Sequence, residues 1–127
     1  MGLSASGIGS TTITVNTTGS AGSATGSTTS GFIRGYLIGA YFDFGACPGT
    51  TDTTVSYADP ANGNIIVLTN TATDAFHLIR KQCTDIAGAA ITGVYDLFPI
   101  NGTVTVSVAQ CDVLTPALTV RLIYHLV

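Results

Sequence analysis

Residues 32–44, with the sequence FIRGYLIGAYFDF, are the stretch that decides the fold. Aromatic and β-branched residues dominate it, and these residue types favour extended strands. Strict alternation would place the even-numbered side chains from Phe32 to Phe42 on one face and Ile33, Leu37 and Tyr41 on the other. Both faces would be mostly apolar. We therefore predict one long strand that is central in its sheet or covered on both sides.

Further strand-like segments follow this stretch at short intervals, and turn residues separate them. Residues 103–109 (TVTVSVA) give the cleanest alternation, and Asn62-Gly63 and Asn101-Gly102 are typical of hairpin turns. Residues 84–90 fit either a short helical turn or a loop. We predict an all-β fold, an antiparallel two-sheet sandwich with a jelly-roll-like arrangement. The other predicted strands are residues 51–57, 65–70, 74–80, 91–97 and 117–126.

The N-terminal segment differs in composition from the rest of the chain. Residues 1–30 contain no charged and no aromatic residue, and Gly, Ser, Thr and Ala dominate from residue 17 onward. This composition is typical of a flexible arm. We therefore predict an arm over residues 1–30 and a β-sandwich domain over residues 31–127. Within the arm, Ile13 and Val15 could form a strand on a partner, and we expect the sandwich to fold without the arm.

Charge and cysteine usage limit the classes of partner. Charged residues make up 9% of the chain, the net charge is −3, and there are four Lys and Arg residues in total. Such a chain cannot present the basic surface that nucleic acids or anionic membranes require, so we expect neither as a partner. Cys47, Cys83 and Cys111 are odd in number and widely spaced, which favours free thiols. With no secretory signal pattern, we expect synthesis in a cytoplasm.

Motifs that carry catalysis or bind cofactors are missing from the sequence. It contains no P-loop, no dinucleotide-binding glycine motif and no nucleophile elbow. His77 and His125 do not have the spacing of a metal site, and most aspartates lie in or beside turns, where they bond backbone amides. We predict that the chain is not an enzyme and needs neither a cofactor nor a metal. Asp43 and the strand-borne arginines, which are Arg34, Arg80 and Arg121, predict salt bridges within the fold or across an interface.

Low charge, apolar strands and an uncharged arm together favour a protein that functions in an assembly. Strand edges and apolar surface are liabilities in a free monomer but useful against a partner. We predict that the contact residues lie in the arm and on strand faces, namely Ile13, Val15, Phe32, Arg34, Tyr36 and Tyr57.

Four segments of the sequence resemble small virion proteins of tailed bacteriophages. These are residues 34–44 (RGYLIGAYFDF), 48–55 (PGTTDTTV), 65–70 (IIVLTN) and 120–124 (VRLIY). The chain is similar in particular to capsid decoration (cement) proteins, and the resemblance covers residues 31–127. The resemblance implies a β-sandwich that clamps neighbouring capsomers on the outside of the virion. It also implies two kinds of partner, the major capsid protein and further copies of this chain in a dimer or trimer. It supplies no catalytic residues.

Two other functions remain open at this point. A head–tail connector or tail component of a phage would also be small, rich in β-strands and oligomeric. A carbohydrate-binding sandwich is more remote, because such modules usually present Trp or Tyr platforms and this chain contains no tryptophan.

Overall fold

The computed structural model describes residues 7–57 and 63–126, and in this part of the chain all regular secondary structure is β-strand. The strands are β1 (Ile8–Val15), β2 (Ala24–Thr29), β3 (Ile33–Phe44), β4 (Asp52–Tyr57), β5 (Gly63–Leu68), β6 (Ala75–Leu78), β7 (Lys81–Thr84), β8 (Ala90–Asp96), β9 (Phe98–Gly102), β10 (Val104–Cys111) and β11 (Leu118–Leu126).

Two antiparallel sheets form the body of the protein. The first has five strands in the order β1-β11-β3-β6, with β9 also paired to β3, and the second has four strands in the order β2-β10-β4-β5. β7 and β8 pair with each other as a separate hairpin. The prediction of an all-β, antiparallel two-sheet sandwich is confirmed.

The inward faces of both sheets form one hydrophobic core. In β10 the buried side chains are Val104, Val106 and Val108, as the clean alternation of residues 103–109 predicts. In β11 the alternating residues Leu118, Val120 and Leu122 are buried in the same way. Every second side chain of these strands thus points inward, and the two sheets bury these side chains between them.

β3 is central in its sheet, as predicted, but its side chains do not alternate strictly. The pairing with β11 passes from Gly39↔Ile123 to Leu37↔Tyr124, so Ile38 is an extra residue in β3. This β-bulge shifts the alternation by one residue. The predicted division into even-numbered and odd-numbered faces is therefore wrong. Buried side chains precede the bulge at odd positions, Ile33 and Leu37, and follow it at even positions, Ala40, Phe42 and Phe44.

The N-terminal segment belongs to the sandwich. β1 pairs with β11 along its whole length, and β2 pairs with β10. Ile13 and Val15 are 2% and 0% exposed, so the prediction of a flexible arm is wrong for these strands. Composition misled because most of the small polar residues face outward, whereas three apolar residues, Ile13, Val15 and Ala24, face inward and are buried. Residues 1–6 of the predicted arm lie outside the described residues.

Two local predictions in the second half of the chain are resolved by pairing. Asn101-Gly102 is not a hairpin turn, because both residues pair with β3 in β9. Pro99 is also part of β9, which among the described strands pairs only with β3, and a strand paired on one side can accommodate a proline. The doubtful segment 84–90 contains the β7–β8 turn, where the Asp85 carboxylate accepts hydrogen bonds from the amides of Ala87 and Ala89. The predicted turn at Asn62-Gly63 lies partly outside the described residues.

Replacing Ile13 by alanine tests whether β1 is part of the folded unit. We expect Ile13→Ala to lower the free energy of unfolding by about 2–5 kcal/mol, because it leaves a cavity in the core. Urea denaturation measures the change. Ile8→Ala is the matched control, since Ile8 lies on the same strand and is 69% exposed, and there we expect a change within about 0.5 kcal/mol. An Ile13→Ala variant as stable as this control would contradict the role of β1.

Candidate interaction surface

The outer face of the five-stranded sheet carries a group of large apolar side chains, within which the exposed His125 separates Ile8 from Tyr36. Antiparallel pairing places residues from four strands next to one another on this side, and most of them are exposed. We call this set the apolar face, and it consists of Ile8, Tyr36, Tyr41, Phe76, Leu78 and Ile123.

Cross-strand pairs between β3 and β6 form its centre. Tyr41 lies opposite Phe76, and their ring centroids are 4.5 Å apart at an angle of 42°. Gly39 lies opposite Leu78, and the Phe76 ring covers the position that a Cβ atom of Gly39 would occupy. Because residue 39 has no side chain, the Phe76 ring can occupy this space. Aromatic cross-strand pairs of this kind stabilise the sheet surface that they cover.

Polar groups border the apolar face along β11 and β3. The Arg121 guanidinium lies over the Tyr41 ring, 4.8 Å from its centroid, in cation–π geometry. Together with Thr12, Asp43 and Thr119, these two residues line a depression of about 260 Å³. The sequence predicted an ion pair for Arg121, and the contact that the structure records for it is aromatic. The Arg121 side chain remains exposed.

The outer face of the four-stranded sheet has a different character. Its cross-strand rows bring hydroxyl side chains together, and Thr29 and Thr105 are hydrogen-bonded through their Oγ1 atoms at 2.9 Å. Ser27, Ser107 and Thr54 follow in the next row. Such a surface is well hydrated. The apolar face is therefore a property of one side of the molecule and does not follow from the overall composition.

The β7–β8 hairpin is a second exposed apolar element. Every residue of β8 is exposed, including Ile91, Val94 and Tyr95, and Ile86 at the turn is fully exposed. Within the described part of the chain, the two strands pair only with each other. A two-stranded hairpin without a packing partner is marginally stable in water. Contact with another surface would therefore stabilise the hairpin by covering its exposed apolar side chains.

A cleft of about 410 Å³ lies between β4, β7 and β9. The Tyr57 ring meets the Phe98 ring edge-on at 6.2 Å, and the Tyr57 hydroxyl accepts a hydrogen bond from the Asn101 amide at 3.1 Å. Lys81 Nζ lies 5.6 Å from the centroid of the Phe98 ring. These contacts hold the aromatic rings in the wall of the cleft, and among the described residues that line it Lys81 is the one with a charge.

The structure separates the six predicted contact residues into two groups. Ile13 and Val15 are buried in the core, so their prediction as contact residues is wrong. Phe32 and Arg34 are exposed, Tyr57 lines the cleft, and Tyr36 belongs to the apolar face.

Sequence reasoning missed most of the apolar face because it missed the bulge in β3. Strict alternation puts Tyr36 and Tyr41 on opposite faces, whereas the extra residue at Ile38 brings both to the outer face. Phe76 and Leu78 alternate correctly in residues 74–80. Nothing local in that segment indicates that their side of the sheet is the uncovered one.

No protein-family model, curated protein or solved structure matches this chain. The described residues contain no group of three or more His, Cys, Asp or Glu residues that could hold a metal ion. They also form no helix with the length and hydrophobicity needed to cross a membrane.

Replacing Leu78 by serine tests whether the apolar face is exposed. Leu78 is 65% exposed, so we expect Leu78→Ser to change the free energy of unfolding by no more than about 0.5 kcal/mol. We also expect a higher ammonium sulfate concentration at the precipitation midpoint, because the variant removes apolar surface next to Phe76 and Tyr41. Val67→Ser is the control, since Val67 is 56% exposed among hydroxyl side chains. Equal midpoints for both variants would contradict an exposed apolar patch around Leu78.

Proposed function

We propose that this chain is a structural subunit that attaches to a larger protein shell through its apolar face. The proposed role is that of a capsid decoration (cement) protein on the outside of a tailed-bacteriophage head, where it clamps neighbouring capsomers. The observation that carries the proposal is the apolar face on one sheet, with the Tyr41–Phe76 pair and Leu78 at its centre, opposite a sheet face of hydroxyl side chains.

The composition of the apolar face supports attachment to protein. Aromatic residues and arginine are the side chains that contribute most to protein interfaces, and here Tyr36, Tyr41 and Phe76 are bordered by Arg121. Burying apolar surface yields about 25 cal/mol per Å², and a polar rim sets orientation. Arg121 and Asp43 provide charges of both signs at this rim. The chain has four basic residues in total, which speaks against a nucleic-acid partner.

The β7–β8 hairpin supplies the second contact that a clamp requires. The sequence suggested that an N-terminal arm would reach the neighbour, and the hairpin takes over that role in our proposal. Its exposed residues Ile86, Val94 and Tyr95 extend the apolar surface beyond the sandwich. A subunit with two contact elements on a repeating shell binds far more tightly than either element alone. The partners are then the major capsid protein and further copies of this chain as a dimer or trimer.

Counting copies in purified virus particles tests the proposal directly. Quantitative mass spectrometry gives the ratio of this chain to the major capsid protein. We expect a ratio near unity or near a simple fraction of it, because decoration sites repeat with the symmetry of the shell. About six or twelve copies per particle would instead indicate a connector or tail component. Absence from particles would overturn the proposal, and a glycan-binding screen would then test the carbohydrate-binding alternative.

Binding to particles that lack this chain tests which surface attaches. We expect the double variant Tyr36→Ser with Leu78→Ser to bind at least about tenfold more weakly than the unmodified chain, since two apolar anchors are lost. Val67→Ser on the opposite sheet is the control and should bind normally. Equal occupancy of both variants in a cosedimentation titration would contradict attachment through the apolar face.

A further inference from the structure

Two of the three cysteines lie side by side in the fold. Cys47 is in the connection between β3 and β4, Cys111 is the last residue of β10, and their Sγ atoms are 3.4 Å apart. The two residues are 64 positions apart in the sequence. Cys111 is buried and Cys47 is half-buried. Cys83 lies on β7, in the separate hairpin.

A β-bulge in β10 turns Cys111 toward Cys47. Val104, Val106 and Val108 point into the core, so strict alternation would place Gln110 inward and Cys111 outward. The pairing with β2 instead passes from Val108↔Gly26 to Cys111↔Ala24, which inserts one residue into β10. Gln110 has a φ of 51°, a left-handed conformation that is uncommon for residues other than glycine. The bulge reverses the alternation, and Cys111 becomes fully buried.

Hydrogen bonds from the chain just after Cys47 hold this bulge in place. Thr50 Oγ1 donates to the Gln110 carbonyl oxygen at 3.2 Å, and Gln110 Nε2 donates to Asp52 Oδ2 at 2.9 Å. The Cys47 thiol donates a hydrogen bond to the Ala117 carbonyl oxygen at 3.0 Å, and this bond holds the side chain in position. The segment with one thiol is thus tied to the segment with the other. A strained residue that its neighbours hold in place often marks a functional position.

We propose that Cys47 and Cys111 form a disulfide bond in the folded chain when it meets a low-molecular-weight disulfide such as oxidised glutathione. The two sulfur atoms must approach from their present separation of 3.4 Å to about 2.0 Å. Cys83 stays outside this pair. The three cysteines then comprise one pair that forms the disulfide and one single thiol. This proposal concerns the chain alone and is independent of the proposed function.

The reaction balances in two exchange steps. The Cys47 thiolate attacks one sulfur of oxidised glutathione, which forms a mixed disulfide and releases one glutathione thiolate. The Cys111 thiolate then attacks the Cys47 sulfur and displaces the second glutathione thiolate. The protein loses two hydrogen atoms, both protons pass to the released thiolates, and one glutathione disulfide is reduced to two thiols.

Burial makes this exchange slow. Loss of solvent around the Cys47 thiol, with further contributions from the hydrogen bond and charge of Cys111, raises its pKa to about 12. The thiol is therefore protonated at neutral pH, and the thiolate is the form that attacks a disulfide. Once the mixed disulfide exists, the second thiol is already in contact with it, so ring closure proceeds without a second encounter.

Exposing the full-length Cys83→Ser variant to oxidised glutathione tests the proposal. We expect the intact mass to fall by two hydrogen atoms, with no glutathione retained, and peptide mapping to show Cys47 joined to Cys111. Closing a loop of this length restricts the unfolded chain, so we expect the midpoint of thermal unfolding to rise by at least about 5 °C. Adding dithiothreitol should return both the mass and the midpoint to their starting values.

Cys47→Ala in the same Cys83→Ser background is the matched control. It removes the half-buried thiol, and we expect neither a cross-link nor a rise in the unfolding midpoint on oxidation. Two results with the Cys83→Ser chain would overturn the proposal. One is a glutathione adduct that persists on either cysteine without a cross-link, and the other is two free thiols after prolonged incubation of the folded chain.

Discussion

The antiparallel pairing of β3 with β11 is the interaction on which the rest of the structure depends. β11 also carries β1, and β3 also carries β6 and β9, so the whole five-stranded sheet is assembled on this one pair. Their inward side chains, among them Phe42, Val120 and Leu122, supply one wall of the core against the valines of β10. Loss of this pairing would leave both sheets without a common core.

Two β-bulges determine what the sandwich can do. The bulge at Ile38 brings Tyr36 and Tyr41 to the same side of the first sheet, which makes the apolar face continuous with β6. The bulge at Gln110 turns Cys111 inward, against Cys47. In both cases one inserted residue reverses the alternation of a strand and so changes which surface its later side chains reach. The regular parts of the strands form the fold, and these two bulges, among the register shifts of the sheets, create its candidate interaction surface and its thiol pair.

The two outer faces of the sandwich suit different neighbours. The outer face of the four-stranded sheet, which includes the Thr29–Thr105 pair, carries hydroxyl groups that can form hydrogen bonds with water. The apolar face and the β7–β8 hairpin expose apolar side chains to water. Covering these side chains with another surface would lower the free energy of the system. With charged residues at 9% of the chain, little electrostatic repulsion opposes such contact. This asymmetry is the physical basis of the proposed role in an assembly.

The sequence by itself determined the fold class and the positions of strands with strong alternation, such as β10 and β11, because the period of two is a local property of the chain. Only the tertiary structure decided that β1 and β2 belong to the sandwich. Their apolar residues are few, and it is pairing with β11 and β10 that buries Ile13 and Val15. Local sequence patterns could not predict the bulges. They therefore could not predict the apolar face or the cysteine pair. An extra residue is defined only against the partner strand, and that strand is distant in the sequence.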